Sequence, residues 1–244
     1  MKLILKIFPL FILFISGISY SQSESEITLG SGFSIKTSLN YVSTATIQLN
    51  AFSESVFERN KLEYVTGGYG YGILIRKKLF RDEISFGLSA EFVSIVDDEL
   101  TQTFSSDSVT IRARVTEKLT MVPIELMGYF NIPEFAEDLQ IYFGGGVGVY
   151  FGNRQRSLLN IESKTLSKKP GFSLVVTSAM EYFFSRNISG VFEVRFRQGE
   201  YQVKSEFLVP QFTINGISYE LEQTLNSKVF VDGLNISLGV AYNF

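Results

Sequence analysis

The sequence contains no cysteine, no histidine and no tryptophan. Without cysteine there is no disulfide framework and no site for lipoprotein acylation. With histidine missing as well, Ser-His-Asp hydrolysis, Cys-His catalysis and imidazole-bound zinc are all excluded. The chain is therefore expected to be non-enzymatic and to need no cofactor. Long apolar runs are also scarce: beyond residue 21 none approaches the roughly 20 residues that a membrane-spanning helix requires. The single short run lies at the start, where Lys2 and Lys6 precede IFPLFILFISGI (residues 7–18), followed by Ser19, Ser21 and a polar QSESE. A positive segment, a short apolar core and a small-x-small cleavage site read as a secretory signal peptide over 1–21. An excess of positive charge is the last absence. Removing Lys2 and Lys6 leaves 20 basic against 25 acidic residues, a net charge of −5, which argues against a nucleic-acid partner.

What is present is alternation. After residue 26 apolar and small or polar residues exchange at every position, the period of a β-strand. The eight stretches are EITLGSGFSIK, YVTGGYGYGILIR, EISFGLSAEFVSIV, LTMVPIELMGYFNI, LQIYFGGGVGVYFG, GFSLVVTSAMEYFF, NISGVFEVRFR and GLNISLGVAYNF. Each is long enough to cross a bilayer when tilted. Three of the links are short (KKLFRD, PEFAED and SRN), and the other four, at 38–62, 97–117, 153–170 and 198–227, read as long polar loops. Short turns on one side and long loops on the other, with an even strand count, is the plan of a transmembrane barrel.

The two faces decide the solvent. One carries Phe, Ile, Leu and Val; the other carries mostly Gly, Ser, Thr and Ala with a few charges set within strands. The small face suits the narrow lumen of an eight-stranded barrel, and the apolar face suits lipid. Aromatics near strand ends (Tyr64, Phe92, Phe130, Tyr150, Phe172, Phe196 and Tyr242) fit an interfacial girdle. The expected fold is all-β, an eight-stranded antiparallel up-and-down transmembrane β-barrel over 22–244. A secreted lipocalin-like carrier of an apolar ligand is the soluble alternative, and it would need the apolar face inside.

IYFGGGVGVYFG, following the strand VPIELMGYFNIP, resembles the outer-membrane β-barrel domain families related to the OmpA transmembrane domain. The resemblance covers the mature chain in architecture, and its motifs specify fold rather than activity. No OmpA-like periplasmic domain follows the eighth stretch. The resemblance implies a Gram-negative outer membrane, with outer-membrane lipid and lipopolysaccharide around the barrel. It also implies insertion by the barrel assembly machinery. That machinery reads a last strand ending in an aromatic, here Phe244 with Tyr242, Val240 and Leu238 before it.

Parity places eight charges on the small face: Lys36, Arg76, Glu91, Glu125, Glu181, Glu193, Arg195 and Arg197. A polar pathway for small solutes and a paired interior plug are the two readings. An unpaired buried charge costs several kcal/mol, so the plug is favoured, with Glu125 and Glu181 paired to Arg195. Glycines at alternate lumen positions make room for bulky neighbours such as Tyr129 and Tyr142. Pro123 cannot donate to a ladder, which predicts a strand start or a bulge there. GGGVGV (144–149) has the glycines of a nucleotide fingerprint without its crossover helix, and carries no such meaning. Of the loops, RQRSLLNIESKTLSKK is locally basic and able to meet lipopolysaccharide phosphates. QGEYQVKSEFLVPQFTINGISYELEQTLNSK mixes apolar and charged residues, fitting a hairpin extended above the membrane, and neither loop names a ligand.

Three roles remain open from sequence: an envelope scaffold or loop-presenting binder, a narrow channel for ions or small solutes, and the soluble carrier.

Overall fold

The computed structural model describes residues 32–79, 83–106, 109–132, 136 and 138–244. The expected signal peptide, and Ile27 and Leu29 of the first expected strand, lie outside these residues. The strands are β1 (Phe33–Gln48), β2 (Leu62–Leu79), β3 (Ile84–Ser105), β4 (Thr110–Asn131), β5 (Leu139–Leu158), β6 (Ile161–Lys169), β7 (Gly171–Phe183), β8 (Ile188–Phe207), β9 (Gln211–Ile214), β10 (Ile217–Glu220), β11 (Thr224–Phe230) and β12 (Leu234–Asn243). A single turn of helix, α1 (Val56–Arg59), sits in the first long connection.

Eight antiparallel strands close a ring: β1, β2, β3, β4, β5, β7, β8 and β12 pair in that order, and β12 returns to β1. Closure runs from Ser34↔Asn243 to Val42↔Asn235, which leaves no free edge at membrane depth. The short turns and the last residue share one end, where the Phe33 and Phe244 rings lie 5.9 Å apart. That end faces the periplasm in a barrel of this plan.

The strands do not stop at the membrane. Crossing takes about ten residues, whereas β3 and β4 each have 22. The segments read as long loops are largely paired hairpins that continue the wall outward. β6 extends β7 beyond Pro170, pairing with β8 through Lys169↔Gln202, and β11 extends β12, pairing with both β8 and β1. Only above Tyr69↔Ser94 does the β2–β3 ladder lapse. There the Thr66 amide donates instead to the Asp97 carboxylate at 2.8 Å.

The fourth segment, 198–227, is the hairpin extension expected of it, with β8 paired to β11. Elsewhere the loop reading failed because the face pattern inverts above the membrane, as β8 itself shows. On β8, Phe192, Val194 and Phe196 point outward below, and Gln198, Glu200, Gln202 and Lys204 point outward above. Inward, Glu193, Arg195 and Arg197 give way to Tyr201, Val203 and Phe207. The parity never changes on this strand; only the solvent outside does. On β2 it does change, at Gly67–Gly68, so Val65 is sealed inside and not on the lipid face. In the membrane half the apolar set, among it Leu39, Ile73, Leu126, Val147, Leu174, Leu238 and Val240, is exposed on the outer wall. A carrier with its apolar face inward is thereby ruled out. Tyr150 is fully buried, so it belongs to the interior and not to the girdle.

Pro123 also departs from expectation. β4 runs straight through it, with Met121↔Gly152, Val122↔Phe151 and Pro123↔Tyr150 in continuous register. The missing N–H is accommodated on the other side, where the β3–β4 ladder skips Glu91 and Phe92 without a register shift.

Candidate functional site

Strand β4 shows how the lumen is built. Its inward residues, read from the periplasmic end, are Asn131, Tyr129 and Met127, then Glu125, then Pro123, Met121 and Leu119, then Glu117, then Val115 and Ala113. Apolar and charged residues alternate as layers, and each layer is completed by other strands at the same height.

The lowest layer is apolar and aromatic. Tyr129, Tyr142, Leu74, Met127, Val175, Ala179, Val191 and Ala241 pack together, with the two tyrosine rings edge-on at 5.5 Å. Glycine makes this possible at one point: a Cβ on Gly144 would lie 2.6 Å from the Tyr129 ring. Beside it Arg76 Nη2 donates to Glu181 Oε2 at 2.6 Å, and the guanidinium lies 4.7 Å from the Tyr142 ring centre. Ser189 Oγ donates to the other Glu181 oxygen at 2.6 Å. The cation for Glu181 is thus Arg76, contrary to the expected Arg195.

Above it lies the main charge network. Arg195 Nη1 reaches Glu91 Oε1 at 2.5 Å and Glu125 Oε2 at 2.8 Å, and its Nη2 reaches Glu193 Oε1 at 2.5 Å. Arg197 joins Glu91 at 2.7 Å and Glu125 at 2.8 Å. Lys36 pairs with Glu193, which also accepts from Thr177 Oγ1 at 2.8 Å. All eight charges named by parity are buried, and they form two groups, Arg76 with Glu181 and the remaining six together. Four cations face four anions, so the set is neutral. A Cβ on Gly148 would come within 2.8 Å of Glu125, so glycine here leaves space for the carboxylate.

An apolar layer separates this network from a second one. Val42, Ile47, Val65, Val93, Ile95, Leu119, Met121, Tyr150, Tyr201, Val203, Val229 and Val231 form one buried cluster. Over it, Glu117 receives Arg154 through two bonds, at 2.6 and 3.0 Å, and also receives Arg156. Arg156 in turn holds Glu63 of β2 at 2.6 and 3.0 Å and Gln102 of β3 at 2.9 Å, spanning the place where the β2–β3 ladder has lapsed. Burial opposes the Arg156 charge, but the hydrogen bonds and charges of Glu63 and Glu117 raise its pKa above the ordinary guanidinium value. The sequence reading missed this network because it assigned Glu117, Arg154 and Arg156 to loops. Extending the parity of β4 and β5 past the membrane would have found all three. A final apolar layer of Phe104, Val115, Leu158, Phe207, Phe212, Tyr219 and Leu225 caps the open end. Its lid is the β9–β10 hairpin, turned by Asn215 and Gly216 in left-handed backbone.

Chemically, the arrangement holds its charges in place by pairing them. Among the described residues no cluster of acids is placed to hold a metal ion.

No protein-family model matches the sequence, and no curated protein matches it. Solved structures do share its fold. The outer membrane protein OprG from Pseudomonas aeruginosa is 13% identical, with 88% of this chain and 97% of that chain covered and a TM-score of 0.57. Neisserial surface protein A (NspA) is 12% identical, with 88% and 99% covered and a TM-score of 0.46. At such identities the likeness is one of fold. Taken with the closed ring and its apolar outer belt, the likeness to OprG makes this chain a transmembrane β-barrel with the fold of outer-membrane proteins.

Proposed function

We propose that the protein is a sealed, non-enzymatic barrel that serves the outer membrane as a rigid scaffold and holds its long hairpins outside the cell. The observation that carries this reading is the filled lumen. Two neutral ion-pair networks alternate with three apolar layers, and residues from most of the ring meet at every height. An eight-stranded ring has just enough interior for side chains to fill. A solute would have to break shared carboxylate–guanidinium contacts and cross apolar layers in turn. The surrounding partners in this reading are outer-membrane lipid and lipopolysaccharide, and the barrel assembly machinery is the partner during insertion.

Planar-bilayer recording tests the seal. The purified barrel is expected to give no steady single-channel steps. Steps that vanish or change size in Arg195→Gln or Glu125→Gln would replace the scaffold by a narrow channel that runs through the network.

A further inference from the structure

The outward residues of β4 form a graded series. From the periplasmic side they are Phe130, Gly128, Leu126, Ile124 and Val122, then Thr120, then Lys118, Thr116, Arg114 and Arg112. The apolar part is the lipid belt, and one threonine separates it from three exposed cations. Successive outward positions on a strand lie roughly 6.6 Å apart, so the cations climb away from the membrane surface in a straight row. Their direct cross-strand neighbours are uncharged: Thr103 for Arg112, Thr101 for Arg114, Val96 and Gln155 for Lys118. Asp98 and Glu99, the acids nearest in the β3 sequence, sit in the bulge between Asp97 and Leu100. Among the described residues none of the three cations has an ion-pair partner. The row lies on paired strand, with β3 and β4 in register on both sides of that bulge, from Val96↔Lys118 and Asp97↔Glu117 below to Leu100↔Val115 and Thr103↔Arg112 above. The basic segment RQRSLLNIESKTLSKK, by contrast, spends both its arginines inside the lumen.

We infer that Arg112, Arg114 and Lys118 form a docking row for the phosphorylated headgroup of an outer-leaflet lipid, lipopolysaccharide being the occupant. The inference rests on the outer-membrane reading and adds a site to it. Continuity with the belt selects this occupant: a lipid whose chains lie against Val122, Ile124 and Leu126 carries its phosphates to the height of Lys118, and its inner sugars and further phosphates to Arg114 and Arg112. Guanidinium forks suit phosphate oxygens in two-bond geometry.

The test uses the full barrel in phosphatidylcholine vesicles that contain purified lipopolysaccharide, or the same lipopolysaccharide after enzymatic dephosphorylation. Lipid retained per barrel is counted after re-extraction in mild detergent. The wild type is expected to prefer the phosphorylated form, and R112Q/R114Q/K118Q to retain it about a hundredfold less, as three cations at an anionic surface should give. The control K164Q/K168Q/K169Q removes as much exposed charge from β6 and is expected to change little. Equal losses in both triple variants, or no preference for phosphate in the wild type, would overturn the site. So would inorganic polyphosphate in detergent binding the row as tightly as the lipid, because the partner would then be a free polyanion. Heat-modifiable gel mobility of each variant, read alongside, reports the barrel itself: a wild type without a folded band would sink the membrane reading instead.

Discussion

Leu126 and Leu119 lie on the same strand, yet Leu126 is 56% exposed on the outer wall and Leu119 is 2% exposed inside. The difference belongs to the two halves of the barrel. In the membrane half the surroundings are as apolar as leucine, so burying leucine inside gains little and the interior is free to be polar. The sheet there must satisfy every backbone group by closure, and its lumen charges must satisfy each other. In the outer half the surroundings are water, and the hydrophobic effect turns the same alternation inside out, with valine, leucine and phenylalanine within and lysine, glutamine and threonine without. One continuous wall therefore follows two opposite rules, with the change falling between Val122 and Lys118 on β4 and between Phe196 and Gln198 on β8.

Breaking the polar interior should have the largest effect. Glu125→Ala takes one carboxylate from both Arg195 and Arg197 and leaves their group with one uncompensated positive charge, and removing one partner of a buried network costs about 3–5 kcal/mol. Urea unfolding in lipid vesicles, followed by heat-dependent gel mobility, should show that loss. A cost under about 1 kcal/mol would mean that the network is loosely coupled or wet. The contrast between halves is sharpened by one substitution made twice on the outward face of β4. Leu126→Lys should cost about 2–4 kcal/mol, the charge lying in hydrocarbon. Thr116→Lys, on the same face above the belt, should fall within about 0.5 kcal/mol. If the two cost the same, the belt ends elsewhere. A small effect on stability is also expected at the periplasmic end. Phe244 is partly exposed and touches Phe33 and Tyr242. We expect its deletion to lower the amount of folded protein in the outer membrane while costing a barrel already formed less than about 1 kcal/mol. Normal surface levels would remove Phe244, and with it the Tyr242, Val240 and Leu238 pattern, as an assembly signal.

How much of this could be read from residues alone follows the same division. In the membrane half strict alternation marks strands, and parity alone sends Lys36, Arg76, Glu91, Glu125, Glu181, Glu193, Arg195 and Arg197 inward. Which cation meets which acid was legible only in part, since parity gives the face but not the height: Glu125 meets Arg195 as expected, but Glu181 meets Arg76 and not Arg195. In the outer half, strands whose outward residues are polar look like loops to a reader expecting lipid outside, and Glu117, Arg154 and Arg156 went unnoticed for that reason. Pro123 misled in another way. A proline breaks a ladder only on the side its nitrogen faces, and β4 keeps its other ladder whole.

The pairing of charges within each layer has an electrical consequence. Four cations against four anions in the membrane half, and Arg154 and Arg156 against Glu63 and Glu117 above it, leave each network with no net charge to move. The work a membrane potential does on a group scales with the charge it displaces. A potential across the outer membrane therefore exerts no net pull on either layer, and a voltage ramp in the bilayer recording should leave the lumen as shut as it was at zero field.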